Sequence, residues 1–177
     1  MKMDAGVDTG DILVQRLIPL AADETGGSLF NKLSQLGAEL LMETLPGYLE
    51  GSVKHHPQPG EGITHAPMLK KEDGRLDFNK EARLVERRVR AMNPWPGAFF
   101  TWQGSPLKVH KAHADFLLAY MIQPAGQRWT HAGLPAVVCA GNSLLVLDEV
   151  QPAGKRVMPG KAFLAGIHAW DGTSEQE

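Results

Sequence analysis

The residues of this chain best suited to chemistry are one aspartate, Asp8, and two short sets of cations. Asp8 lies in Asp4-Ala5-Gly6-Val7-Asp8-Thr9-Gly10-Asp11, between two glycines, and the block opens into the apolar run Ile12-Leu13-Val14. Flanking glycines permit a tight turn, and the apolar run behind them reads as a strand, so the pattern holds a carboxylate at the rim of a sheet. A carboxylate so placed needs a sheet behind it and partner groups opposite it. The cations are Arg83, Arg87 and Arg90, spaced along one helical side, and Lys108, His110 and Lys111 on the extended segment that follows. Long cationic side chains in such sets suit phosphate contact without base readout. For each arginine alone, a solvated helix face is the competing reading.

Other reactive residue types offer less. The single cysteine, Cys139, sits inside the apolar run Leu134-Pro135-Ala136-Val137-Val138-Cys139-Ala140 and reads as a small buried residue, not a nucleophile. His55 and His56 are adjacent, share no face and have no partner at ligand spacing, so no metal site is expected. Trp95, in Pro94-Trp95-Pro96, has the options of stacking on a base or packing as a corner of a barrel, and packing is the preferred expectation.

The 177 residues suffice for one large or two small domains with a normal core. No apolar run approaches the roughly 18 residues of a membrane span, and the first residues lack the layout of a secretory signal. No disulfide is possible within a chain with one cysteine, which fits a reducing cytoplasm. Charge is uneven along the chain. Residues 1–78 carry 7 Lys+Arg against 12 Asp+Glu, a net of −5, whereas residues 79–170 carry 11 against 5, a net of +6. A basic second half on an acidic whole suggests a polyanion partner for that half.

Elements must position these groups. Residues 11–20 read as a strand with Pro19 at its end or edge. Residues 28–50 read as a helix capped by Ser28, with Leu29, Leu33, Leu36, Leu40, Leu41 and Leu45 forming one buried stripe, and Pro46-Gly47 as a kink or early stop. Residues 55–62 are linker in composition. A charged turn at 70–75 leads to a second helix from 79 or 80 to 92, with Asn79 as its candidate cap. Leu84, Val85, Val89 and Met92 form its inner face, with Arg83, Arg87, Arg88 and Arg90 outside it. Beyond Asn93-Pro94-Trp95-Pro96-Gly97 the chain turns to strands: 98–102, then 106–113, then a hairpin of 134–140 and 144–150 about Gly141-Asn142. In the strand at 106–113, strict alternation places Leu107, Val109 and Lys111 on one side and Lys108, His110 and Ala112 on the other. Residues 157–166 form a short closing helix or turn, and 171–177 a frayed tail. The result is a strand–loop–helix unit followed by one helix with at least four strands, which suits a small barrel.

Three readings of Asp8 compete. Asp, Thr and Gly are favoured turn residues. Hydrophobic-Asp-Thr-Gly is also the active-site tripeptide of aspartic proteases, but those enzymes place a small residue after the glycine, where this chain has Asp11, and are built of short strands, not a long Leu-rich helix. The third reading comes from several blocks taken together. The chain resembles the methionyl-tRNA formyltransferases in 3–13, in Ser28-Leu29-Phe30-Asn31-Lys32-Leu33 with Gly37-Ala38-Glu39-Leu40-Leu41, and in 66–78. It also resembles them in Arg90-Ala91-Met92-Asn93-Pro94-Trp95-Pro96-Gly97-Ala98-Phe99 and in Gln151-Pro152-Ala153-Gly154-Lys155-Arg156-Val157-Met158, all in family order.

That resemblance implies a fold and a function. The fold is an α/β remnant of a Rossmann-like formyltransferase domain over 1–60, a linker over 61–72, and a β-barrel, oligonucleotide-binding-like domain over 73–168. The activity is transfer of a formyl group from 10-formyltetrahydrofolate to the amino group of initiator Met-tRNA, in the cytoplasm and by a monomer. Asp8 would be the catalytic aspartate that orients a histidine, and Arg83, Arg87, Arg90, Lys108 and Lys111 the tRNA contacts. The family's Asn-x-His donors and folate segment lie upstream of the Asp8 block, and this sequence contains no Asn-x-His. The chain is therefore expected to be the back half of something larger, a tRNA binder inactive alone. A stand-alone RNA-binding module without catalysis is the alternative.

Overall fold

The computed structural model describes residues 1–117 and 123–172; residues 173–177 of the expected frayed tail lie outside them. Contacts divide the chain into two compact units, Met1–Ala22 with Ser28–Met68, and Asp23–Gly27 with Leu69–Glu177.

The first unit contains little regular structure besides most of helix α1 (Gly26–Leu49). The strand expected over 11–20 is absent: the run makes one antiparallel bridge, Ile12 with His56, with reciprocal N–H···O bonds of 2.8 and 2.9 Å. A strand persists only where a ladder partner exists, and beyond Ile12 none of the described residues pairs with this run; Leu17 is 96% exposed. Helix α1 also departs from expectation at both ends. It begins at Gly26, two residues before Ser28, because Gly26 and Gly27, which belong to the second unit, pack flat on backbone within that unit. A Cβ on Gly26 would meet the Ala91 carbonyl oxygen at 2.3 Å, and the Gly27 N–H donates to the Asn93 carbonyl at 2.9 Å. Pro46 does not stop it; the missing N–H costs one bond in the last turns, and Glu50 N–H still reaches the Pro46 carbonyl at 3.0 Å. No residue of α1 is fully buried: its leucine stripe is half-covered at Leu29, Leu36 and Leu40 and exposed at Leu33, Leu41 and Leu45.

The second unit holds the core. A 3₁₀ turn (Lys71–Gly74) precedes helix α2 (Ala82–Ala91), and an antiparallel sheet follows: β1 (Ala98–Trp102), β2 (Ser105–Phe116), β3 (Arg128–His131), β4 (Leu134–Cys139), β5 (Ser143–Pro152) and β6 (Met158–Pro159), closed by helix α3 (Gly160–Ala165). The pairing order is β1-β2-β5-β4-β3, with β6 also on β5. This is a six-stranded antiparallel sheet with helices; the pairings form an open path whose ends are β1 and β3. Strands β3 and β6 were not among the expected elements. Three hairpins turn on residue pairs with positive φ, Gln103-Gly104, Ala132-Gly133 and the expected Gly141-Asn142; the first two are two-residue loops whose twist matches that of the flanking strands.

Strands β4 and β5 are buried on both faces, which explains their unbroken apolar runs. One face joins Val137, Cys139, Leu145 and Leu147 to Val85, Val89, Leu107, Phe163 and Trp170. The other joins Ala136, Val138, Leu144 and Val146 to Leu117, Trp129 and Leu134. In α2, Ala82, Val85 and Val89 are buried and Met92 follows, but Leu84, expected inside, is 50% exposed. Its place on the inner face is taken by Ala82, small enough to lie directly under the sheet. Asn79 does not cap α2: its backbone and side-chain N–H groups both donate to Asp77 Oδ1. The cap comes from another strand, with Ala82 N–H donating to the buried Ser143 hydroxyl at 2.8 Å.

Candidate functional site

Asp8 stands in the first unit on a turn assembled by its neighbours. The Asp4 carboxylate accepts from Gly6 N–H at 3.1 Å and from the Thr9 hydroxyl at 2.6 Å. Asp8 itself has φ +54°, the left-handed region in which Asp is better tolerated than most residues. Gln58 secures the turn from across the loop, its amide donating at 2.7 Å to both the Asp8 and Gly10 carbonyls. Gly10 is buried, and a Cβ there would meet the Lys2 carbonyl oxygen at 1.7 Å. The Asp8 side chain is left exposed, with no hydrogen bond or ion pair among the described residues. In the same unit, His55 Nδ1 and Asp11 Oδ2 lie 2.5 Å apart. That pairing of residues far apart in sequence had no signal in spacing, and His55 reads as plain linker until the fold brings it to Asp11. Among the described residues no group of three His, Cys, Asp or Glu could hold a metal ion.

The cations of the second unit sort into two kinds. Arg83 and Arg87, one helical turn apart, are exposed and carry no hydrogen bond or ion pair among the described residues. Arg90 is held inside its own unit. Its Nε lies 2.5 Å from Glu86 Oε1 and its Nη1 donates to the Glu24 carbonyl at 2.9 Å, and the bonded Glu86 carboxylate raises its pKa further. Arg88 donates to the Asp73 carbonyl. The structure thus brings Arg83 and Arg87 together as free cations and withdraws Arg90 from that set.

Strand β2 supplies the rest, through an irregularity the alternation rule does not foresee. Lys108 pairs in register with Gln151 and Val109 with Val150, but Lys111 meets Glu149 and Ala112 meets Leu147. His110 is therefore an extra residue on β2 and Asp148 an extra one on β5, and the two bulges cancel. Between them the phase shifts: Lys111 turns outward to join Lys108, and Ala112 turns in. Asn93 Nδ2 donates to the His110 carbonyl at 3.3 Å, tying the exit of α2 to the bulge. His110 Nε2 lies 3.0 Å from Gln151 Oε1, and Gln151 Nε2 donates to the Lys155 carbonyl at 2.9 Å. These bonds place exposed Lys155 and Arg156 next to β2. Neither belongs to the expected contact set, although the charge pair inside a Gly-containing turn was a signal. Trp95 is not packed as a corner. It is 57% exposed at the tip of a tight turn with two cis peptide bonds, closed by Gly97 N–H to the Met92 carbonyl at 2.9 Å.

Further along β2 the outer face carries acid–base pairs: His113 with Asp148 at 3.0 Å and His131 with Asp115 at 2.8 Å. The Phe116 N–H and then His131 hold the Asp115 carboxylate below its ordinary pKa. Cys139 is buried, and desolvation pushes its thiol up to about 12, so it is no nucleophile. Among the described residues no helix is long and apolar enough to cross a membrane.

Methionyl-tRNA formyltransferase of Myxococcus xanthus is 45% identical over 176 residues, covering 94% of this chain and 52% of that protein. That of Roseiflexus castenholzii is 40% identical over 172 residues, covering 97% of this chain and 54% of that one. The chain spans about half the length of the curated relatives it matches. Among solved structures, HypX from Aquifex aeolicus in complex with tetrahydrofolic acid matches with a TM-score of 0.58 at 17% identity, over 92% of this chain and 28% of that one. A sugar 3N-formyl transferase, WlaRD, solved with dTDP and 5-N-formyl-THF, matches with a TM-score of 0.61 at 15% identity, over 87% and 53%. At such identities the likeness speaks to the fold alone. The family described as formyl transferase, C-terminal domain, matches residues 68–168, which contain α2, the whole sheet and every free cation named above, and the chain belongs to that family.

Proposed function

We propose that this chain is the C-terminal portion of a methionyl-tRNA formyltransferase and that its second unit holds tRNA. The observation that carries the reading is the set of exposed cations Arg83, Arg87, Lys108 and Lys111, whose side chains have no partner among the described residues and which are presented by α2 and a bulged β2 that Asn93 ties together. Cations with no carboxylate to satisfy them are available to phosphates. Lys111 has Glu149 opposite it in register, which weakens its share. Lys155 and Arg156 extend the set, and exposed Trp95 offers a face on which a base can stack.

The finer architecture belongs to the same proposal. Residues 73–168 form an oligonucleotide-binding-like barrel, 61–72 a linker, and 1–60 the end of a Rossmann-like formyltransferase domain. In it Asp8 orients a histidine that donates to the formyl oxygen of 10-formyltetrahydrofolate as the amino group of initiator Met-tRNA attacks. The relatives' name supports this substrate. Asp8 supports it by its exposure on a turn fixed by Gln58 and Asp4. With no Asn-x-His in its sequence, the chain alone has no donors for that oxygen and binds tRNA without turning it over. A monomer in the cytoplasm completes the reading.

A salt titration of tRNA binding tests it. The expected affinity is modest and falls steeply with salt, with a slope of about −0.7 to −0.9 per phosphate neutralised. Arg87→Glu combined with Lys108→Glu flattens the slope and leaves the melting temperature unchanged, since exposed charges contribute little to stability. Affinity that does not respond to salt, or to the double reversal, overturns the proposal.

A further inference from the structure

We infer that the cleft between the 3₁₀ turn and α2 holds one unpaired nucleotide of an RNA, its phosphate on Arg75 and Lys80 and its base against Leu84. The inference rests on the reading that the second unit binds RNA. The cleft is lined by Arg75, Asp77, Lys80, Leu84, Val85 and Arg88 and has a volume of about 420 Å³, within the range of small-ligand sites.

Its walls are fixed before any ligand arrives. Arg75 is tied to β1 by a parallel bridge to Phe99, with Leu76 N–H donating to the Phe99 carbonyl at 2.8 Å. Its guanidinium carbon lies 5.6 Å from the centre of the Phe99 ring. Gly74 packs so closely that a Cβ would meet the Gly97 carbonyl oxygen at 2.0 Å, which pins the turn carrying Arg75. On the opposite wall, Arg88 is anchored to the Asp73 carbonyl, and Asn79 holds Asp77 through Oδ1. The Lys80 side chain carries no hydrogen bond or ion pair among the described residues, its backbone bonding to Asp77 and Ala140.

The chemistry selects a nucleotide over a bare anion. Three cations meet one carboxylate, a net positive lining that holds a phosphate, while the carboxylate can accept from hydroxyl or amino donors on the same ligand, which a bare anion lacks. Leu84, half-exposed on an otherwise charged helix face, provides an apolar floor that an anion would not use and that a base face would cover. A paired base in a duplex is stacked on both sides and cannot enter, so the cleft reads loops and single strands. Arg83 and Arg87 of the cation set are the sequence neighbours of the lining residues Leu84 and Arg88 on α2.

The test uses the full chain and fluorescence anisotropy with three probes: a short oligouridylate, bulk tRNA and a blunt, fully paired RNA duplex. Leu84→Ala is expected to weaken oligouridylate and tRNA about fivefold, the low end for a stacked base, and to leave duplex binding unchanged. Arg75→Gln with Lys80→Gln is expected to make the oligouridylate salt slope shallower by about 0.7, one phosphate of a single strand. Inorganic phosphate is expected to displace oligouridylate no better than chloride at equal ionic strength. The inference fails if Leu84→Ala spares oligouridylate or weakens the duplex equally. It also fails if the slope is unmoved, or if phosphate alone competes. A wild-type chain that binds no RNA defeats the functional reading itself, whereas binding untouched by these variants defeats only the cleft. Leu84 is half-exposed, so a thermal melt is expected to show its variant folded.

Discussion

Replacing Arg90 with glutamine separates structural from phosphate-binding arginines on α2. Spacing alone groups Arg83, Arg87 and Arg90, yet Arg90 meets Glu86 through two contacts, 2.5 and 3.3 Å, and the Glu24 carbonyl at 2.9 Å. The Arg90 and Glu86 side chains are 26% and 19% exposed, so neither is in bulk water nor fully enclosed. An exposed helical pair contributes about 0.3–0.5 kcal/mol. Buried bonds to charged groups contribute about 1.5–3 kcal/mol each. Partial exposure puts Arg90→Gln between these limits, at about 1–2 kcal/mol, and the glutamine leaves the Glu86 carboxylate without its cation. At about 4–8 °C per kcal/mol for a unit of this size, the melting temperature falls by roughly 4–16 °C. The assay is a near-ultraviolet dichroism melt, which reads Trp102, Trp129 and Trp170 in this unit, run beside the salt titration of tRNA binding. Arg90→Gln lowers the melt and leaves the salt slope unchanged. Arg83→Gln with Arg87→Gln leaves the melt unchanged and makes the slope shallower by up to about 1.8, two phosphates. An Arg90→Gln variant with an unaltered melt and a slope reduced by one phosphate would refute the reasoning.

Ser143→Ala removes the hydroxyl that accepts from Ala82 N–H at 2.8 Å and donates to the Ala140 carbonyl at 2.6 Å, and Glu81 offers α2 no side-chain cap in its place. Urea unfolding is expected to show a loss of about 1–2 kcal/mol, and an unchanged midpoint would mean that α2 is capped otherwise. Burial raises the Cys139 thiol from 9.0 to about 12, so iodoacetamide at mildly alkaline pH is expected to label it only after denaturation. The sign for stability follows: the buried thiol favours the folded state fully below pH 9.0 and loses that contribution as pH rises toward 12. A Cys139→Ala variant should therefore lose less stability than the parent over that window, and parallel alkaline curves would contradict the assignment.

Local pattern carried the second unit well. The apolar runs at 134–140 and 144–150 differ from helical stretches by length and β-branching, and they became the doubly buried strands β4 and β5. Strand β3 has no local signal in the sequence, since Arg128-Trp129-Thr130-His131 has neither a long apolar run nor clean alternation; it is a strand because β4 offers a ladder to it. The first unit failed in the opposite direction. Ile12 to Leu20 has strand composition, but composition supplies no hydrogen-bond partner, and the described partner extends no further than His56.

The site was legible to the extent that it depends on one element at a time. Arg83 and Arg87 follow from helical spacing. Arg90 is lost to the set because Glu86 lies one turn before it, a pairing visible in sequence, and because the Glu24 carbonyl docks from 66 residues away, which is not. Lys111 shows the converse. Strict alternation from Leu107 and Val109 turns it toward the core, where an unpaired ammonium would be untenable. The chain resolves the conflict with an extra residue at His110, compensated at Asp148, so that Ala112 fills the inward position and the lysine faces out. A lysine in phase with a buried face is thus a sequence sign of a bulge: either the register yields or the charge is buried, and yielding costs far less. In this unit the yielding carries Lys111 to the face that presents Lys108, and the bulge is as much a part of the candidate phosphate surface as the cations themselves.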